Sequence, residues 1–182
     1  MIKVIELTLR IYVWIMVSLY GAGKIAGGQF YRAGNLPESV AQTTLSNASG
    51  FELTWTFFGY SFGYILFIGL SQLIGGFLLL FERTKLLGVA ILVPVLLNII
   101  VVDFFYSISN GAMMSAVLYF TSLIIILFLN REKVKSALQV LSKRDQSEKR
   151  NLKQKSLLLV SAGFGFLLIF LMEQQMLNFL GR

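Results

Sequence analysis

Eight polar side chains stand inside or beside long apolar runs in this chain: Lys24, Gln29, Tyr60, Tyr64, Gln72, Asn98, Asp103 and Tyr106. They offer one pair of opposite charges, three carboxamides and three phenols. That set can hold a polar head group by hydrogen bonds, or balance two buried ions. It is poor equipment for covalent or redox chemistry. The 182 residues include no histidine and no cysteine, which removes thiol chemistry, imidazole acid–base catalysis, histidine-ligated haem and the usual zinc ligands. No residue is assigned a catalytic role and no metal is expected.

What must position these groups is a set of membrane helices. Hydrophobic residues make up 56% of the chain, charged residues only 14%, and the mean hydropathy is +0.74. A soluble domain is nearer one quarter charged. A bilayer core about 30 Å thick needs about 20 apolar residues of helix. Five segments qualify, at 7–27, 56–81, 86–107, 111–130 and 156–180, and Pro94 should bend the third. Glu6 and Arg10 near the start of the first segment, with no small-residue cleavage pattern, read as a retained helix and not a signal peptide. The expected fold is all-α: an antiparallel four-helix transmembrane bundle over 1–130, a basic loop over 131–155 and a further transmembrane helix over 156–182. The polar connection from Gly28 to Trp55 is long for a bundle and is expected to be partly helical.

Charge sets the orientation. The stretch from Asn130 to Lys155 holds nine basic and three acidic residues, six of the seven net positive charges. By the positive-inside rule it faces the cytoplasm, and so does the Glu82–Lys85 turn. The N-terminus is then inside and the C-terminus outside. Val134, Leu138 and Leu141 recur at helical spacing among the basic residues. An amphipathic helix on anionic lipid, a solvated linker, and a docking point for an acidic protein partner are all compatible with this pattern. Nucleic acid is not expected, because nothing aromatic is interleaved with the charges.

An ionisable group in hydrocarbon costs about 2.5–3.5 kcal/mol on insertion scales, so it normally turns inward toward a partner. At 1.5 Å per residue, Gln72 and Asn98 fall near the midplane of neighbouring helices and should approach one another. Lys24, Tyr60, Tyr64, Asp103 and Tyr106 share an outer level. Lys24 pairing with Asp103 would create an outer polar pocket. Alternatively Lys24 snorkels, Asp103 caps a helix end and the tyrosines form an interfacial belt. Arg10 either pairs with Glu6 one turn earlier or snorkels. Gly23 and Gly27, Gly59 and Gly63, and Ser71 and Gly75 have the spacing of close helix packing.

The strings GAGKIAGGQF and ELTWTFFGYSFGYILFIGLSQLIGGFLLLFERTKLLGVAILVPVLLNIIVVDFFY resemble the DoxX-like family of small bacterial membrane proteins. The carriers are Lys24 after glycines, the Gly75–Leu80 run, Arg83-Thr84 followed by Leu87-Gly88, and the polar pair Asn98 and Asp103. The resemblance covers residues 8–128. It implies a four-helix bundle in the bacterial cytoplasmic membrane. It also points to the membrane subunit of a thiosulfate:quinone oxidoreductase among the family's members. Many members carry a glutamate where this chain has Gln72, and a neutral amide cannot exchange protons. The functional expectation is a non-catalytic accessory or partner-binding membrane module, homo- or hetero-oligomeric, holding a lipid or quinone in the outer pocket. A quinone-linked oxidoreductase subunit is the first alternative and a small transporter the second.

Overall fold

The computed structural model describes residues 1–142 and 152–180, so residues 143–151 of the basic stretch lie outside the described residues. Eight helices occupy the described chain: α1 (Ile2–Ala26), α2 (Glu38–Ala41), α3 (Gly50–Tyr60), α4 (Phe62–Leu79), α5 (Lys85–Phe105), α6 (Asn110–Leu129), α7 (Arg131–Ser142) and α8 (Leu152–Leu180). Among the described residues there is no strand, only one isolated bridge between Arg32 and Asn35. Two compact units result, Met1–Leu138 and Gln139–Arg182. The protein is an all-helical membrane protein. By length and composition α4, α5, α6 and the Gln154–Met176 part of α8 are able to cross a bilayer. The 25-residue α1 is not among these four, since Arg10 and Lys24 interrupt its apolar run.

In the first unit α1, α4, α5 and α6 close a ring, each packed on two neighbours. Their shared core is built from Val13, Val17, Leu79, Val89, Leu92, Leu96, Tyr119, Leu123 and Ile126. Backbone approach fixes the spacing of α1 and α4. A Cβ added at Gly21 would stand 2.9 Å from the Gly69 carbonyl oxygen and 3.1 Å from the Gln72 Cβ, so only glycine fits that crossing without a shift. Of the pairs singled out by spacing, Gly23 and Gly27 behave differently. Gly23 has open space beside it, and Gly27 is the left-handed cap of α1, with φ 91°.

The segment expected as one helix over 56–81 is two. Ser61 is extended (φ −113°, ψ 120°) and ends α3, and its hydroxyl accepts from the Tyr64 N–H at 3.4 Å to start α4. A physical cause lies beside the break. Gly59 packs directly on the Tyr31 backbone, and the Tyr31 N–H donates to the Trp55 carbonyl at 3.1 Å. α3 is therefore bound to the 27–35 segment and cannot continue along the axis of α4. Its other end is secured by a capping box between Ser49 and Glu52.

One end of the ring is clamped by four charged side chains. Arg10, 2% exposed, donates to Glu82 and to the carbonyls of Leu79 and Leu80 at the end of α4, and lies 3.7 Å from Glu6. Lys85, 3% exposed, donates to Glu6 and, at 2.8 Å, to Glu82. Two cations thus face two anions, and the orphan carbonyls of the α4 terminus are satisfied as well. Arg10 neither snorkels nor relies on Glu6 alone. Its main partners lie some 70 residues further along the chain.

Replacing Arg10 by Met leaves two carboxylates facing one ammonium and two carbonyls without donors. We expect a loss of about 3–5 kcal/mol, the range for breaking one side of a buried ion network. Thermal unfolding in detergent measures it, and an unchanged midpoint would remove the clamp. The acid dependence of Glu82 provides a separate check. Hydrogen bonds from Lys85 and then Arg10 hold its carboxyl down at about 2, against an ordinary value of 4.5. A depressed carboxyl contributes its stability above the unfolded value and loses it as pH falls through the folded one. The midpoint gap between wild type and Glu82→Gln should stay constant from pH 7 to 4.5 and close toward pH 2. The Glu82 side chain is 68% exposed, so solvent keeps that gap small.

Candidate ligand cavity

α1 delivers Lys24 in its last turn, just before the Gly27 cap. A lysine there would ordinarily serve the helix's terminal carbonyls. Arg32 has taken that task, since its Nη2 donates to the carbonyls of Lys24 at 3.3 Å and Ile25 at 3.0 Å. The Lys24 side chain is left to turn inward. It is 6% exposed, and its Nζ lies 5.7 Å from the centre of the Tyr20 ring and 5.9 Å from that of Phe30. Among the described residues no hydrogen bond or ion pair reaches it. Two aromatic faces are modest compensation for a buried ammonium, about 0.5–2 kcal/mol each at most.

The space in front of Lys24 is a cavity of about 500 Å³ between α1, α3, α4, α5 and α6. Its walls are apolar and aromatic, with Phe30, Trp55, Phe58 and Tyr64 on one side and the core residues Val17, Leu96 and Tyr119 on another. The rings hold each other: Phe30 meets Trp55 at 5.4 Å and Phe58 at 5.3 Å, while Phe58 stacks on Tyr64 at 5.8 Å. Phe30 sits at φ 70°, a left-handed conformation that costs a bulky residue about 1–3 kcal/mol. Packing against Trp55 and Phe58 offsets that strain and points the ring at the ammonium.

Six of the eight residues expected in an outer pocket line this cavity: Lys24, Gln29, Tyr64, Gln72, Asn98 and Asp103. Tyr106 instead lines a second cavity of about 460 Å³, whose walls share Thr54, Phe58, Tyr64, Asn98 and Val102 with the first. Tyr60 lines neither and is 75% exposed, carried to the surface where α3 ends. Among the described residues neither expected pairing is made as a hydrogen bond or an ion pair. Lys24 and Asp103 face the same space, yet no ion pair or hydrogen bond joins them among the described residues. The Oδ2 of Asp103 is buried with no hydrogen-bond partner. Gln72 and Asn98 border the same cavity, but the Gln72 Oε1 is likewise unpartnered, in a side chain that is 1% exposed.

Thr54 was not among the expected residues, and its buried Oγ1 is a third unpartnered atom on this wall. A lone threonine in an amphipathic stretch carries no signal by itself. Tyr20, Phe30 and Trp55 escaped notice because aromatic residues near a membrane boundary read equally well as a belt. Among the described residues no group of acidic side chains could hold a metal ion.

An unpartnered buried acceptor costs about 1–3 kcal/mol. Gln72→Leu fills similar volume without the orphan oxygen, and should therefore raise the unfolding midpoint of ligand-free protein in detergent. A lower midpoint would mean that the Gln72 amide is satisfied in the folded chain.

The uncharacterized protein YwoB of Bacillus subtilis (strain 168) is 32% identical to this chain over 131 residues, 72% of this chain and 80% of that protein. No family model matches the chain, and no solved structure matches it.

Proposed function

We propose that this chain, which belongs to the same family as YwoB, is a non-catalytic membrane module that binds a small lipophilic ligand between α1, α3, α4, α5 and α6. The observation that carries this reading is Lys24. Lys24 is 6% exposed, its ammonium has neither hydrogen bond nor ion pair among the described residues, and it faces an apolar cavity beside two orphaned acceptor oxygens. Sites for small organic ligands have this composition, with mostly apolar walls and a few convergent polar groups, in volumes of about 300–1,000 Å³. In this reading α1, α4, α5 and α6 are four antiparallel spans and α8 a fifth, in the bacterial cytoplasmic membrane. The basic stretch after α6 faces the cytoplasm, the N-terminus is inside and the C-terminus outside. The four-helix part corresponds to the DoxX-like resemblance.

A quinone-linked oxidoreductase subunit is the second reading, favoured by the aromatic wall of Phe30, Trp55 and Phe58. A flat ring would stack there while a carbonyl accepts from Lys24. Electrons would have to come from a partner or bound cofactor, since the chain lacks histidine and cysteine.

Native mass spectrometry of protein extracted in lipid nanodiscs tests the first reading. Wild type should retain a small molecule that Lys24→Met loses, because that variant removes the ammonium and keeps the side chain's length. Two spectra with the same bare protein mass would overturn it. Copurifying quinone with quinone-reductase activity would move the assignment to the second.

A further inference from the structure

We propose that the ligand of this cavity is an uncharged lipophilic alcohol, whose hydroxyl accepts from Lys24 and donates to one of the orphaned oxygens, Asp103 Oδ2 or Gln72 Oε1. This inference rests on the reading of the cavity as a ligand site and names the chemistry that the site selects.

Apart from tyrosines, Lys24 and Asp103 are the ionisable side chains lining the cavity. One bears a positive and the other a negative formal charge, so the lining is neutral as a whole. It stays neutral even if a proton passes from the lysine to the aspartate. An anionic ligand would satisfy the ammonium and leave a net negative charge among phenyl, indole and aliphatic groups. A cationic ligand would do the reverse. Either carries a burial penalty of several kcal/mol that a neutral ligand avoids.

Among the described residues Lys24 Nζ offers donors and lacks an acceptor, while Asp103 Oδ2 and Gln72 Oε1 offer acceptors and lack donors. A ketone or ether accepts from Lys24 but leaves both oxygens orphaned. An ammonium serves the oxygens but not Lys24. A hydroxyl is the smallest neutral ligand group that accepts from Lys24 and also donates, giving its one proton to one of the two oxygens. The rest of the ligand lies against Phe67, Ile68, Val95 and Ile99, which offer it no polar contact. Water has the same two capacities as a hydroxyl but gains nothing from these walls.

The test uses three photoreactive amphiphiles with one alkyl chain and one aliphatic diazirine, ending in a hydroxyl, a carboxylate or an ammonium. Each is irradiated with the full chain in phosphatidylcholine nanodiscs, and crosslinked residues are mapped by peptide mass spectrometry. The alcohol should label the cavity walls at least about tenfold more than either ion, a difference of about 1.4 kcal/mol. Charge variants should then switch the preference. Asp103→Asn leaves the ammonium alone and should favour the carboxylate, whereas Lys24→Met should favour the ammonium. Wild-type labelling by the carboxylate or the ammonium at the level of the alcohol would overturn the neutral-ligand inference and leave the ligand site standing. If no probe labels the cavity walls, the ligand-site reading fails with it. The wild-type comparison decides the matter even if a variant does not fold.

Discussion

A charge removed from water must find its counterpart inside the protein, and helix α1 answers that demand in two opposite ways. Near its start Arg10 meets a carboxylate, two backbone carbonyls and a second carboxylate at longer range. Near its end Lys24 meets two aromatic faces and, among the described residues, no counterion at ion-pair distance. Both side chains are more than nine-tenths buried. The first arrangement closes an electrostatic account within the fold, tying α1 to the end of α4 and the start of α5. The second leaves it open, and the open end is where the cavity lies. A purely structural lysine would be expected to resemble Arg10.

The ring of helices makes this contrast possible because it is tight in one place and loose in another. Glycine at position 21 lets α1 and α4 approach to backbone contact, and Gly88 on α5 does the same against the Gly75 carbonyl. These crossings hold one part of the bundle closed without large side chains. Beyond them the break at Ser61 redirects the chain. α3 leans on the 27–35 segment through Gly59, Tyr31 and Trp55, so its aromatic residues form a wall beside the bundle and not another turn of α4. The cavity is the space that this divergence opens.

Much of this was legible in the sequence, and the failures share a cause. Hydropathy marks the apolar helices, and the cost of burying amides and ions singles out Lys24, Gln72, Asn98 and Asp103, which border one cavity. Sequence spacing knows only neighbours along a helix. It therefore finds Glu6, which does pair with Arg10 at 3.7 Å one turn away, but cannot see Glu82, which lies 72 positions further along. It likewise read Gly23 and Gly27 as a packing pair when Gly21 makes the close contact, because the choice depends on which face of α1 meets α4. The Ser61 break was hidden by apolar residues on both sides. A helix and a helix with one extended residue have nearly the same hydropathy.

Gln72 shows why the open end of α1 points to binding more than to packing. Leucine at that position would bury more apolar surface while orphaning no oxygen. The fold keeps an amide there, beside an unpaired ammonium and an unpaired carboxylate oxygen. Each of the three weakens the empty protein, and all three face one space. Independent packing defects have no reason to converge. A ligand that supplies an acceptor to the ammonium and a donor to one of the oxygens would recover part of these penalties at once, which makes the unpaired groups a source of affinity and the apolar walls its complement.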